Sequence, residues 1–284
     1  MYDLTFESKT GKNLILNYEN DIIIRRITGA NGINLTLGLS QGYQQIGRSV
    51  ISAAIGGMTL TIDGYILDGN TQRKKELLQA FAPFSSGRLW WEGRYFVDVV
   101  VQSSPTISQT RHSTFSFRLY AETPYWSEKD KVTSVSGNVA PEFRFPINYS
   151  TPHRFGTKNP LKSYNIVNSG DVEALFDVEI SGLEDIENPK IVNKKTGKFL
   201  LFNGDISVGE RLVFSQTQKN IEVKKKHLDG SETNAFDMLD DFSSFFSLDV
   251  GDNIVDIEAD SGKDAMEVSI SFYPLLSGVL ANGV

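Results

Sequence analysis

The fold is decided by the stretch from Thr59 to Val101, which begins with TLTIDGYI (59–66) and ends with YFVDVVV (95–101). In both segments apolar residues fall on alternate positions, which is the pattern of a strand with one buried face. The residues between them, TQRKKELLQAFA (71–82), have helical spacing instead. The stretch therefore predicts a β domain that carries one α-helix.

Ordinary start and stop signals bound this helix, which is expected at about 71–82. Asn70 or Thr71 can cap its first turn, and Pro83 moves the residue before it out of the helical region. The apolar stripe consists of Leu77, Leu78 and Phe81. We expect this stripe to pack on the sheet.

Three basic residues, Arg73, Lys74 and Lys75, occupy the first turn of the helix. The helix macrodipole already places positive charge there, so each residue is unfavourable by roughly a few tenths of a kcal/mol. One interpretation is a solvated face, where such effects are weak. The other is contact with an acidic partner, which makes the three side chains candidate partner contacts.

Length and charge predict two domains. A chain of 284 residues is too long for one typical core. Residues 1–130 hold 13 basic and 12 acidic side chains, whereas residues 131–284 hold 15 and 23. The two halves are therefore expected to be different domains, and the acidic second half argues against nucleic-acid binding.

Glycines are frequent in the segment at about 28–57, between alternating pieces such as INLTL (33–37). Such a segment can bury little apolar surface by itself. One interpretation is an extended arm that packs on another subunit. The other is an ordinary exposed loop.

The second half of the chain is almost wholly β in pattern. Residues 131–164 are rich in proline and aromatic residues, which predicts an irregular connector. From 165 to 284, short alternating segments are separated by turns such as KTG (195–197) and DG (229–230). This spacing predicts an antiparallel β-sandwich over 165–284, preceded by a β domain over 1–130.

Residue types that carry chemistry are absent or isolated. The sequence has no cysteine, which excludes disulfides, thiolate zinc sites and thiol catalysis. Its three histidines are isolated, its aspartates follow no calcium-loop pattern, and it has no phosphate-binding glycine loop. GLSQG (38–42) has the spacing of a nucleophile elbow, but a poor helix opening follows it. We therefore expect no enzyme, cofactor or metal site.

The beginning of the sequence lacks the basic start and apolar run of a signal peptide. No apolar stretch approaches the ~18 residues of a membrane span. We expect a protein that is synthesised soluble in the cytoplasm.

Trp90 and Trp91 are adjacent in a segment of strand character. One of two adjacent strand residues faces outward unless a bulge intervenes. An exposed indole suits either a subunit contact or a sugar platform. Both tryptophans are therefore candidate partner contacts.

Several short segments, in the same order along the chain, resemble one known family. In the first half they are GYILDG (64–69), LLQAF (77–81), GRLW (87–90) and TPYW (123–126). In the second half they are NSGD (168–171), ISGL (180–183), NPKI (188–191) and LDVGDN (248–253). Together they are similar to the distal tail protein of siphophages over nearly the whole chain.

The resemblance implies a non-catalytic virion protein at the tail tip or baseplate. Members form a homohexameric ring, in which a tube-like N-terminal β-sandwich domain, with its helix and arm, builds the ring, and a galectin-like β-sandwich projects from it. The implied partners are other copies of the chain, the tail tube protein, tail-tip proteins and receptor-binding proteins. Neither nucleic-acid specificity nor membrane insertion is implied.

Two other functions stay open at this stage. One is a non-catalytic carbohydrate-binding module for host adsorption, although all three tryptophans precede residue 131 and the second domain lacks an indole for stacking. The other is a serine hydrolase that uses Ser40. The source also stays open between a free phage, a prophage and a tail-like bacteriocin.

Overall fold

The structure is a computed structural model that describes residues 2–135, 139–141, 156–158 and 163–280. The chain forms two compact units, one from residues up to Lys129 together with the segment from Leu275 onward, the other from Asp130 to Pro274. Each unit has its own cluster of buried apolar side chains. Most of the connector predicted at 131–164 lies outside the described residues.

The first unit is built on one antiparallel sheet. Its strands, with one separate hairpin (β4 and β5), are β1 (Leu4–Ser8), β2 (Asn13–Leu16), β3 (Ile22–Thr28), β4 (Leu35–Ser40), β5 (Ser49–Ile55), β6 (Met58–Ile66), β7 (Ser86–Trp91), β8 (Tyr95–Ile107), β9 (Ser113–Ala121) and β10 (Trp126–Glu128). The order across the sheet is β2-β1-β7-β8-β9-β6-β3, and β10 pairs with β8. The strands predicted from 59–66 and 95–101 are therefore both part of this sheet.

One α-helix occurs in the described residues, α1 (Thr71–Ala80). The side chain of Asn70 caps it by accepting hydrogen bonds from the backbone N–H groups of Gln72 and Arg73. Leu77 and Phe81 are fully buried, and the Phe81 ring stacks on Phe117 at 4.2 Å between centroids. The helix thus covers the sheet and ends slightly before residue 82.

The expectation for Leu78 was wrong. Its side chain is 46% exposed, whereas its neighbour Leu77 is buried. Successive helical residues are about 100° apart, so only one of the two can point at the middle of the sheet. The buried stripe is therefore narrower than the sequence suggested.

The second unit consists almost entirely of short strands. They are β11 (Val132–Val135), β12 (Val139–Pro141), β13 (Gly156–Lys158), β14 (Ser163–Asn168), β15 (Phe176–Gly182), β16 (Ile186–Glu187), β17 (Lys190–Asn193), β18 (Phe199–Leu201), β19 (Asp205–Ile206), β20 (Arg211–Gln216), β21 (Ile221–Lys226), β22 (Glu232–Asn234), β23 (Gly251–Glu258) and β24 (Met266–Phe272). Two larger sheets, β11-β24-β15-β20-β21-β22 and β14-β23-β17-β18, share one core. This is the arrangement of a β-sandwich.

Short 3₁₀ turns complete the regular structure. They span Tyr18–Asn20, Leu67–Gly69, Phe236–Met238 and Lys263–Ala265. The prediction of a mainly β fold with one helix is confirmed. Within the described residues, no helix is both long and apolar enough to cross a membrane.

The last strand, β25 (Leu275–Leu276), pairs with β10 of the first sheet, with Trp126 opposite Leu276. Val279 is buried in the core of the first unit. The sequence-based domain of 165–284 therefore extends past the end of the second unit. The reason is that a two-residue strand has no periodicity that would identify its sheet.

Candidate assembly surface

The arm, which we define as residues 28–57, contains the hairpin of β4 and β5. In the described residues this hairpin pairs with no other strand. Its apolar face consists of the cross-strand pairs Leu35–Ile55, Leu37–Ala53 and Leu39–Val50. Its other face consists of the small or polar pairs Thr36–Ala54, Gly38–Ser52 and Ser40–Ser49. The arm is thus an amphipathic ribbon and not an irregular loop.

The apolar face of the arm is uncovered. Every residue of β5 is exposed, and the side chains of Tyr43 and Ile46 at the tip are 96% and 102% exposed. A lone two-stranded hairpin is only marginally stable in water, and exposed apolar clusters of this kind mark contact sites. Arg48 is the only charged residue of the arm. The arm therefore suits an apolar partner surface.

The basic residues of α1 differ in their surroundings. Arg73 donates to Glu76 at 2.7 Å and to the Asn20 side chain at 3.2 Å. Hydrogen bonds from Gln72 and then Arg73 lower the pKa of Glu76 below its usual 4.5. These contacts offset the unfavourable dipole position of Arg73 and occupy its guanidinium group.

Lys74 and Lys75 have no such partner. Neither forms an ion pair with a described residue, and Lys75 is exposed. Of the three predicted basic contacts, these two leave their charge available to another molecule.

The two tryptophans point to opposite sides of β7. Trp91 is buried in the core, where it makes an edge contact with Trp126 at 5.7 Å between centroids. Trp91 cannot reach a partner from this position, because the alternation of the strand directs its side chain inward. The expectation that Trp91 contacts a partner was therefore wrong, and Trp91 is a core residue.

Trp90 lies on the outer side of the sheet and is half-buried. Its ring packs against Phe96 at 5.1 Å, and the Arg88 guanidinium lies 5.9 Å from its centroid. Arg88 in turn pairs with Asp98 at 2.9 Å. These neighbours cover part of the indole and leave little of a flat platform for a sugar.

Sequence reasoning missed a polar cluster in the second unit, centred on Glu210. One carboxylate oxygen accepts from Lys225 Nζ at 2.6 Å, and the other lies 2.8 Å from His227 Nδ1. The second imidazole nitrogen lies 2.9 Å from the Thr233 hydroxyl. The cluster ties β21 and β22 to the turn before β20.

Burial by itself would raise the pKa of Glu210, but hydrogen bonds from Lys225 and His227 outweigh it and lower the pKa to about 2. The carboxylate is thus charged at neutral pH and holds its partners in place. Glu210 precedes its partner His227 by 17 positions, with β20 and β21 between them, so no local motif could have identified the cluster.

Ser40 is placed unlike a catalytic nucleophile. It ends β4 opposite Ser49, and a hairpin loop follows it instead of a helix. A nucleophile elbow needs a strand-to-helix turn. Within the described ranges, no group of histidine and acidic residues has an arrangement that could hold a metal ion.

A model of the siphovirus-type tail component family, for its C-terminal domain, matches residues 169–274. The matched range covers most of the β-sandwich of the second unit, from the end of β14 to Pro274. Among curated protein sequences, none matches the chain.

Solved structures extend the likeness of the fold to the whole chain. The crystal structure of the Dit protein (gp 19.1) of phage SPP1, described as a paradigm of the hub adsorption apparatus in phages infecting Gram-positive bacteria, is similar with a TM-score of 0.70. Identity is 10%, and the match covers 97% of this chain and 99% of that one.

A chain of the phage P2 baseplate in its activated conformation with calcium is similar with a TM-score of 0.55, at 11% identity. The match covers 98% of this chain and 99% of that one. The chain thus has a Dit-like fold throughout, and the predicted resemblance is confirmed. Both the family model and these solved structures are of phage tail components.

Proposed function

We propose that six copies of the chain form a closed ring at the distal end of a phage tail. The ring is the hub that joins the tail tube protein on one side to the tail-tip or baseplate proteins on the other. Receptor-binding proteins attach directly or through those tip proteins. The whole-chain likeness to a hub protein supports this function.

The uncovered arm carries the proposal. Each copy has one arm with an apolar face that none of the described residues of its own chain covers. If the arm of one copy packs on a different surface of the next, the contact is heterologous, and repetition closes a ring when the rotation fits. An arm with a single charged residue, Arg48, also suits a permanent contact, because obligate interfaces are more apolar than transient ones.

The second unit is proposed to be a docking domain. All tryptophans of the chain precede residue 131, so the sandwich offers no indole to a sugar. Lys74 and Lys75 on α1, with the part of Trp90 that stays accessible, are the proposed contacts to an acidic partner in the tail.

The first experiment is light scattering after gel filtration over a range of concentrations. A ring of six chains of 31.6 kDa has a mass of roughly 190 kDa. Negative stain of that peak should show rings. A chain that stays monomeric at every concentration, alone and with its tail tube protein, would contradict the proposal.

Matched variants of the arm test which face makes the contact. Leu37→Ser removes apolar surface from one face, and Thr36→Ser changes the opposite face only slightly. We expect Leu37→Ser to reduce the ring and increase the monomer, with Thr36→Ser like the unaltered chain. Equal ring yields from both variants would argue against the apolar face as the contact.

A further inference from the structure

The root of the arm, residues 29–31, is held by a segment from far along the chain. The carbonyl oxygen of Ala30 accepts two hydrogen bonds, from the Trp126 indole N–H at 3.0 Å and from the Val279 backbone N–H at 3.1 Å. Asn31 forms an isolated antiparallel bridge with Gly278. Ala30 itself is buried.

Close backbone contacts leave little room for the root to move. A Cβ on Gly278 would lie 2.8 Å from the Cα of Asn31 and 2.9 Å from its Cβ. A Cβ on Gly29 would lie 2.1 Å from the carbonyl oxygen of Thr59. Gly29 also has a φ of +93°, a backbone angle that residues other than glycine rarely adopt. At both positions glycine allows tight packing, so the glycines of the root do not make it loose.

The segment that holds the root is itself anchored on both sides of the contact. Before Gly278, Leu276 pairs with Trp126 of β10. After it, Val279 is 3% exposed within the core. Trp126 is fully buried, so its indole N–H is a fixed donor and not a mobile surface group.

We infer that residues 275–279, together with Trp126, are a positioning element that fixes the direction in which the arm leaves the first unit. The reason is entropic, since an arm on a loose root would have to be ordered each time it docks. A fixed root presents the arm already oriented. The consequence for ring closure rests on the proposed function, whereas the orientation itself does not.

Orientation is measured first, in the single chain. The sequence has no cysteine, so spin labels can be attached at Ile46→Cys in the arm tip and at Lys9→Cys in the turn between β1 and β2. Labelled protein diluted with unlabelled protein then gives the distance distribution by pulsed electron resonance. Gly278→Ala and Gly278→Val force the Asn31 contact apart and should widen or shift this distribution.

The matched control is Gly56→Ala, at the other end of the arm, where a Cβ would meet nothing within 4 Å. It should leave the distribution unchanged. Tryptophan fluorescence and circular dichroism confirm that each variant is folded, and Gly278→Ala keeps the test valid if the valine variant does not fold. An unchanged distribution in a folded Gly278 variant would overturn the inference.

Ring formation is measured second, as the protein concentration at half-assembly. Gly278→Ala should raise this concentration by about tenfold, since each docking step must then order the arm. Trp126→Phe, which removes one donor and keeps an aromatic ring, should change it in the same direction. Absence of rings in the unaltered chain would count against the proposed function alone, because the distance measurement decides the positioning role independently.

Discussion

Replacement of Glu210 by Gln isolates the charge of one carboxylate. The substitution keeps the size of the side chain and one acceptor oxygen, but it removes the negative charge of the carboxylate that Lys225 and His227 contact. The side chain of Glu210 is 16% exposed, so its partners are partly shielded from water. We expect the second unit to lose stability at neutral pH.

The magnitude follows from the pKa of Glu210, which falls from 4.5 to about 2. A difference of this size corresponds to roughly 3 kcal/mol. The side chains of Lys225 and His227 are 20% and 31% exposed, and solvent screening reduces the expectation to about 1–2 kcal/mol. Because the folded-state pKa is lowered, the contribution is complete above pH 4.5 and is lost as the pH falls towards 2. At pH 3, roughly two-fifths of it should be left.

Calorimetry of the full chain at pH 7 and pH 3 tests this expectation. All tryptophans lie in the first unit, so tryptophan fluorescence reports the unfolding of that unit. The calorimetric transition that has no counterpart in fluorescence is therefore assigned to the second unit. Its midpoint at pH 7 should fall by about 3–6 °C in Glu210→Gln. The control Glu232→Gln breaks a half-exposed pair with Lys226 and should change stability by less than about 0.5 kcal/mol. A loss that is equal at both pH values, or equal in the control, would refute the reasoning.

Three further substitutions test the first unit by urea unfolding followed by tryptophan fluorescence. Phe81→Ala removes a fully buried ring stacked on Phe117 and should cost about 3–5 kcal/mol; a cost below 1 kcal/mol would mean that the helix is not packed as described. Asn70→Ala removes the cap of α1 and should cost about 1 kcal/mol, with Gln72→Ala as a nearby control that should cost less. Gly64→Ala places a Cβ 2.3 Å from the carbonyl oxygen of Ile23 and should cost roughly 1–3 kcal/mol, so a neutral result would contradict this close approach.

Local pattern was enough to predict the strands at 59–66 and 95–101, the capped helix and the sandwich. It was not enough for side chains whose environment depends on the angle of packing. Leu77 and Leu78 are equally apolar, yet only Leu77 faces the sheet. Likewise, alternation predicted that one of the two adjacent tryptophans would face outward, but not which one.

The sequence predicted where the arm lies in the chain, but not which of its residues form the apolar face or what holds its root. The arm was recognisable from its glycines, because they interrupt the regular pattern at 28–57. Strand alternation alone could not predict its apolar face, because a register shift between Gly38 and Leu39 changes which residues of β5 lie opposite β4. The bonds to Ala30 join residues about a hundred to 250 positions apart, and no local signal carries such pairings.

The pairing of Trp126 with Leu276 also makes the second unit an insertion. The chain departs from the first sheet after β10 and rejoins it at β25, and these two strands are direct neighbours, with opposed Cα atoms about 5 Å apart. Everything from Asp130 to Pro274 thus occupies the place of a hairpin loop. Such places tolerate replacement of the inserted domain, because neither end has to move. In a protein of this design, exchange of the segment between two points that are distant in the gene but neighbours in the folded sheet would replace the inserted domain and keep the sheet, the helix and the arm intact.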